Sequence, residues 1–176
     1  GVFGLRRILN SISNKDVYLI SHSRGASVVL SALVNPSLKS SEIKRAKKVH
    51  HVDYSDALEL KENNNRFYSI MLAPAIGRVD FVTDADELKQ FTPQLKKMHI
   101  TINNTDYVLG KGRVGFLSRS FTPTDFGYKD DLYNELNKKY TFLEKTDFTG
   151  QDSHEFKKYI NNPKFITILK EFKLSK

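Results

Sequence analysis

The hydroxyl of Ser23 is the first candidate for chemistry in this chain. It stands in the run VYLISHSRGA at residues 17–26. A serine attacks well only when a base removes its proton and when its oxygen projects free of the surrounding backbone. A tight turn from a strand into a helix meets the second condition, provided that the residues two before and two after the serine are small. Ser21 and Gly25 occupy those positions, so the run fits the pattern G-x-S-x-G with serine in place of the first glycine.

The elements on either side of Ser23 match what such a turn requires. The continuous apolar run at 17–20 predicts a strand buried on both faces. From Gly25 onward, small and apolar residues predict a helix that ends at Asn35-Pro36. Residues 1–12 carry apolar side chains at helical spacing, which predicts an amphipathic helix with Arg6 and Arg7 on its other side.

Strands and helices alternate through the rest of the chain. We predict further strands at 67–73, 98–102 and 140–144, and helices at 84–91, at 130–139 and between His154 and residue 174, with a break at Asn162-Pro163. This alternation predicts an α/β fold with a mostly parallel sheet and flanking helices. We expect one domain over residues 1–176, with a polar insertion or cap at about 36–66.

The strand, turn and helix around Ser23 resemble the nucleophile elbow of the α/β-hydrolases. In that family the nucleophile is followed along the chain by an acid after a later strand and by a histidine after the last strand. By this resemblance Ser23 would be the nucleophile, Asp106 the acid and His154 the base, with the backbone N–H of Arg24 as one oxyanion donor. The resemblance implies a serine hydrolase that cleaves a small or lipid-like carboxylic ester through an acyl-enzyme.

Several residues offer alternatives for these roles. Asp80 follows the preceding strand and could supply the acid instead, but Asp106 directly ends a strand in the loop Asn103-Asn104-Thr105-Asp106. His22 is interpreted as a packing residue beside the elbow, and His99 as a core or sheet-facing residue. A patatin-like Ser-Asp lipase stays open, although no Asp-Gly-Gly or Asp-Gly-Ala is present at a candidate acid. An inactive hydrolase fold that serves as a binding module also stays open.

The resemblance has a consequence for the sheet. The family places several strands ahead of the elbow, together with the loop that supplies the second oxyanion donor. Only one helix precedes the strand at 17–20, so we expect this chain to form the C-terminal part of the fold. An N-terminal segment or a second chain would then complete the sheet.

Composition removes several classes of chemistry. The chain has 176 residues, a net charge of +8 and no cysteine, which excludes thiolate nucleophiles, disulfides and cysteine-ligated zinc. The spacing of histidines and carboxylates predicts no metal site, and no loop predicts a cofactor. The basic residues are densest at 44–48 without interleaved aromatics, so no nucleic-acid partner is predicted. No apolar run approaches the roughly 20 residues of a transmembrane helix.

Overall fold

A parallel sheet organises the part of the chain that the computed structural model describes, namely residues 1–35, 44, 48, 59–111 and 125–174. Its strands are β1 (Asp16–His22), β3 (Arg66–Leu72), β5 (Leu95–Ile102) and β6 (Leu143–Asp147), in the spatial order β1-β3-β5-β6. All neighbouring pairs are parallel. Two short strands, β2 (Val34–Asn35) and β4 (Gln90–Phe91), form an antiparallel pair beside it. The predicted α/β class with a parallel sheet is confirmed.

Helices cover both faces of this sheet. They are α1 (Val2–Asn10), α2 (Gly25–Leu33), α3 (Arg78–Phe81), α4 (Tyr107–Lys111), α5 (Asp130–Asn137), α6 (Phe156–Ile160) and α7 (Pro163–Glu171), with a 3-10 turn at Asp125–Gly127. One core lies under α1, α2 and α5 and the other under α6 and α7. Side chains alternate along β5, so that Met98 belongs to the first core while His99 contacts Phe172 on the α7 side. The carboxyl ends of the four strands meet at one edge of the sheet, where ligands bind in such folds.

The strand before Ser23 is less buried than the sequence predicts. Residues 17–19 are half-buried and Ile20 is 46% exposed. The prediction of a strand buried on both faces is therefore wrong. The reason is that β1 pairs with β3 alone among the described strands and lies at the edge of the sheet. That a further segment or a second chain pairs with this edge stays a prediction.

Arg6 lies in the core, whereas the helical pattern predicts it on the solvent side. Its guanidinium donates to the Ala32 carbonyl (3.0 Å), to Asn35 Oδ1 (2.9 Å) and to the Val34 carbonyl. These groups surround the end of α2, where unpaired carbonyls carry partial negative charge and stabilise a cation. Burial lowers the pKa of Arg6 to about 10, so the side chain stays charged at neutral pH.

The helix predicted at 84–91 is also absent. The Thr83 hydroxyl accepts from the Ala85 and Glu87 N–H groups and closes a turn there. Asp86 has a φ of 59°, which no right-handed helix includes, and the chain then enters β4. Of the insertion predicted at 36–66, residues 36–43, 45–47 and 49–58 lie outside the described residues. Within the described part of the chain, no helix has the length and apolar character to cross a membrane.

Candidate active site

Ser23 lies on the turn between β1 and α2 with an unfavourable backbone conformation. Its φ is 53°, in the left-handed region that residues other than glycine rarely adopt and that costs on the order of 1–3 kcal/mol. Contacts to the end of the neighbouring strand hold it there. The Ser23 N–H donates to the Leu72 carbonyl (3.0 Å), and the Ser23 carbonyl accepts from the Ala75 N–H (3.2 Å). Such strain is typical of functional sites, where the surrounding structure fixes a side chain in place.

The residues two before and two after Ser23 lie close together across the turn. A Cβ atom on Gly25 would lie 3.8 Å from the Cβ atom of Ser21, which is an ordinary van der Waals distance. Ser21 is buried, and a serine therefore fits where the pattern has its first glycine.

Ser23, His154 and Asp106 form a continuous chain of hydrogen bonds. Ser23 Oγ lies 2.8 Å from His154 Nε2, and His154 Nδ1 lies 2.8 Å from Asp106 Oδ2. An ionised carboxylate only accepts, so Nδ1–H donates to Asp106 and Nε2 accepts from the serine hydroxyl. In this tautomer the imidazole can take the serine proton. The three side chains come from the loops that follow β1, β5 and β6.

Asp106 is held by four donors. Its side chain is 1% exposed, Oδ2 accepts from His154 and Tyr159, and Oδ1 accepts from the N–H groups of Val108 (3.0 Å) and Leu109 (3.1 Å). Burial acts to raise the pKa of Asp106, but the hydrogen bonds from His154, Leu109 and Tyr159 and the charge of His154 outweigh it. The pKa of Asp106 therefore lies below its ordinary value, and the residue is a carboxylate at neutral pH.

Tyr159 and Asn103 support this carboxylate, and the sequence analysis predicts neither of them as a site residue. The Tyr159 hydroxyl donates to Asp106 Oδ2 (3.0 Å) and accepts from Asn103 Nδ2 (3.1 Å). The Tyr159 ring stacks on Phe148 with 5.3 Å between centroids. Asn103 also donates to the Gln151 carbonyl (2.7 Å) and so connects the loops that carry the acid and the histidine. Because the contact from Tyr159 to Asp106 spans 53 residues, no local pattern could have predicted it.

His22 supports the histidine from the other side. Its Nε2–H donates to the backbone carbonyl of His154 (2.7 Å), and the two rings lie 4.9 Å apart. Burial lowers the pKa of His22, which favours the neutral ring. His22 therefore fixes the backbone of His154 and takes no part in the chain of hydrogen bonds. This agrees with its interpretation as a packing residue beside the elbow.

Two further predicted site residues have other contacts. The Asp80 carboxylate accepts from the Gly77 N–H (2.9 Å) at the start of α3, and His154 Nδ1–H donates to Asp106 and not to this alternative acid. Arg24 directly follows Ser23 and is the N-cap residue of α2, where the helix dipole favours an anion. Its guanidinium donates to the Ala75 carbonyl (2.7 Å) and braces the elbow.

The comparisons with known proteins gave no match: no family model, no curated protein and no solved structure is similar to this chain. The interpretation of the site therefore depends on its own geometry.

Proposed function

We propose that this chain is a serine hydrolase of the α/β-hydrolase type that cleaves carboxylic esters through an acyl-enzyme. One observation carries the proposal: a serine with a left-handed backbone, on a strand-to-helix turn, 2.8 Å from a histidine that is itself 2.8 Å from a buried carboxylate. Each part of this arrangement has a separate role in acyl transfer.

In the first half of the reaction His154 Nε2 takes the proton of Ser23 while Oγ forms a bond to the ester carbonyl carbon. Asp106 stabilises the imidazolium that results and stays ionised. The oxyanion would be stabilised by the backbone N–H of Arg24. When the ester C–O bond breaks, His154 returns the proton to the leaving alkoxide, and the acyl group remains on Ser23. Water then attacks the acyl group with His154 as base, which releases the acid and restores the serine.

The order of the three side chains along the sequence supports the α/β-hydrolase type of fold. The nucleophile follows β1, the acid follows β5 and the histidine follows β6, which ends the sheet opposite β1. This is the chain order of nucleophile, acid and histidine that distinguishes the α/β-hydrolases from other triad enzymes.

Exposed apolar side chains beside the triad favour a lipid-like ester as substrate. Tyr107 and Val108 directly follow Asp106, Phe156 lies two residues after His154, and all three are exposed. Apolar surface next to a reactive centre is typical of sites that bind an acyl or alkyl group. A Ser-Asp dyad of the patatin-like type is less well supported, since Ser23 Oγ bonds to a histidine.

Ester hydrolysis by matched serine variants tests the proposal. We expect the wild type to hydrolyse p-nitrophenyl esters, and Ser23→Ala to lower kcat by about 10⁴ to 10⁶ because the nucleophile is lost. Ser27→Ala is the control, since Ser27 Oγ donates to the Arg24 carbonyl (2.9 Å) within the same helical turn, and it should retain activity. Equal loss in both variants, or activity that persists in Ser23→Ala, would contradict the proposal. A folded wild type without any turnover would favour the inactive binding module.

A further inference from the structure

We propose that His99, Glu144 and Glu171 form a zinc site on the face of the sheet that α7 covers, because a buried, unbonded imidazole nitrogen there faces two carboxylates. The site shares no residue with Ser23, His154 and Asp106. It would join the end of α7 to the two strands that support the acid and histidine loops.

The buried histidine is the first observation. His99 is 2% exposed, and its Nε2 lies 2.7 Å from Thr146 Oγ1. Among the described residues no group makes a hydrogen bond with its buried Nδ1, and buried polar atoms of this kind are rare. Two carboxylate oxygens lie near this nitrogen, Glu171 Oε2 at 3.5 Å and Glu144 Oε2 at 3.6 Å. In the tautomer whose Nε2–H donates to the Thr146 hydroxyl, the Nδ1 lone pair is available to bind a cation between these carboxylates.

The spacing of the three ligand atoms suits a tetrahedral ion. Zinc ligands at about 2.0–2.1 Å from the metal lie roughly 3.3 Å from one another in tetrahedral geometry. Here all three atoms lie within 4.8 Å of one another. Glu144 is the register partner of His99 across β5 and β6, and Glu171 is the last residue of α7. Small rotations of two partly exposed carboxylates would therefore complete the ligand set.

The chemistry of the ligands favours zinc over magnesium or calcium. One imidazole nitrogen with two carboxylates suits zinc, whereas the alkaline-earth ions prefer oxygen alone. The hydrogen bond to Thr146 orients the imidazole, as outer partners do in known zinc sites. A cleft of about 220 Å³ lies beside Glu171 and is also lined by Lys97 and Phe172.

Lys97 forms ion pairs with the same two carboxylates. Its Nζ lies 2.7 Å from Glu144 Oε2 and 3.5 Å from Glu171 Oε2, over the ring of Phe172. An ammonium group and a zinc ion cannot share these oxygens at bonding distance, so zinc would displace Lys97 toward solvent. This competition gives the proposal a distinctive consequence: removing the lysine charge should tighten zinc binding.

Zinc titration of the full chain by calorimetry tests the site. We expect one equivalent to bind to the wild type and to Glu87→Gln, an exposed carboxylate outside the cluster. Glu171→Gln should weaken binding about 100-fold or more, because losing even an outer partner of a zinc site costs about 10- to 100-fold. Lys97→Met should bind about tenfold more tightly, since a like charge near the ion is removed. His99→Gln should also lose binding, but Glu171→Gln is decisive because residue 171 is 41% exposed and its change leaves the core intact.

Three results would overturn the proposal. The wild type could bind no zinc, Glu171→Gln could bind one equivalent of zinc as tightly as the wild type, or Lys97→Met could be the one variant that binds zinc. If zinc were bound by His154 and His22 instead, Glu171→Gln would bind it as tightly as the wild type. The outcome is also independent of the proposed hydrolase function, since the readout is metal binding and not turnover.

Discussion

The substitution Asp106→Asn tests the role of the carboxylate, and the structure indicates which way the amide would face. Oδ1 of Asp106 accepts from two backbone N–H groups, those of Val108 and Leu109. An asparagine must keep its oxygen there, because its NH₂ group would otherwise meet two donors. The NH₂ group then faces His154 Nδ1, which has to accept. The imidazole proton moves to Nε2, where it points at Ser23 and can no longer receive the serine proton.

The expected loss follows from this change of tautomer. In a serine protease triad the same substitution lowers kcat by about 10⁴ with the geometry intact, which corresponds to about 5.5 kcal/mol of transition-state stabilisation. We expect a similar loss here, because the two fixed N–H donors leave the amide no alternative orientation. The variant should still fold, since asparagine keeps the size and the Oδ1 contacts of aspartate.

The measurement is kcat for p-nitrophenyl ester hydrolysis, with thermal unfolding to verify folding. Asp80→Asn is the matched control, because Asp80 was the alternative acid and its carboxylate caps α3. It should retain nearly full kcat. An Asp106→Asn enzyme within tenfold of the wild type would refute the tautomer argument, and a large loss in Asp80→Asn would move the acid to residue 80.

Three further predictions concern stability and assembly. Because the pKa of Asp106 is lower in the folded than in the unfolded protein, its ionisation stabilises the fold at a pH above the unfolded pKa of about 3.9, and this contribution is lost as the pH falls through the folded pKa. The substitution Tyr159→Phe removes one hydrogen-bond donor to Asp106, so it should raise the folded pKa of Asp106 and lower the free energy of unfolding at pH 7 by about 1.5–3 kcal/mol. Acid unfolding followed by circular dichroism measures this, and an unchanged curve would contradict it. A Cβ atom on Gly127 would lie 2.6 Å from the Pro74 carbonyl oxygen, so Gly127→Ala should lower the free energy of unfolding, measured by thermal unfolding, by about 1–3 kcal/mol. Gly4→Ala is the control, because a Cβ atom there meets no atom within 4 Å and should not lower it. Finally, β1 lies at the edge of the described sheet, so if a second chain pairs with this strand the protein should self-associate in light scattering; a monomer at every concentration tested would show the opposite.

The sequence predicts those turns, helix breaks and loop positions that depend on residues close together in the chain. The elbow at Ser23 follows from small residues between an apolar strand and an apolar helix, and the break between α6 and α7 follows from Asn162-Pro163, where Asn162 accepts from the Lys164 N–H. Asp106 could be placed because it lies in the short polar loop that directly follows β5. In each case the residues that set the geometry lie within a few positions of one another.

Features that depend on distant contacts could not be predicted. The partial exposure of β1 reflects its place at the edge of the described sheet, and the burial of Arg6 depends on carbonyls at the end of another helix. Tyr159 reaches Asp106 only because α6 packs on the sheet. The residues of the proposed zinc site also depend on distant contacts: His99, Glu144 and Glu171 meet through strand register and helix packing, and their spacing in the sequence is irregular.

The most direct test of the central claim is to locate a covalent adduct on the folded chain. After reaction with a fluorophosphonate, intact-mass and peptide mass spectrometry should show one adduct, on the peptide that contains Ser23, and acid unfolding before the reaction should abolish it. The adduct should form selectively at Ser23, because Ser23 is the one described serine that makes a hydrogen bond to a histidine, and that histidine is in turn hydrogen-bonded to a buried carboxylate. No adduct on the folded protein, or an adduct on a different serine, would contradict the account.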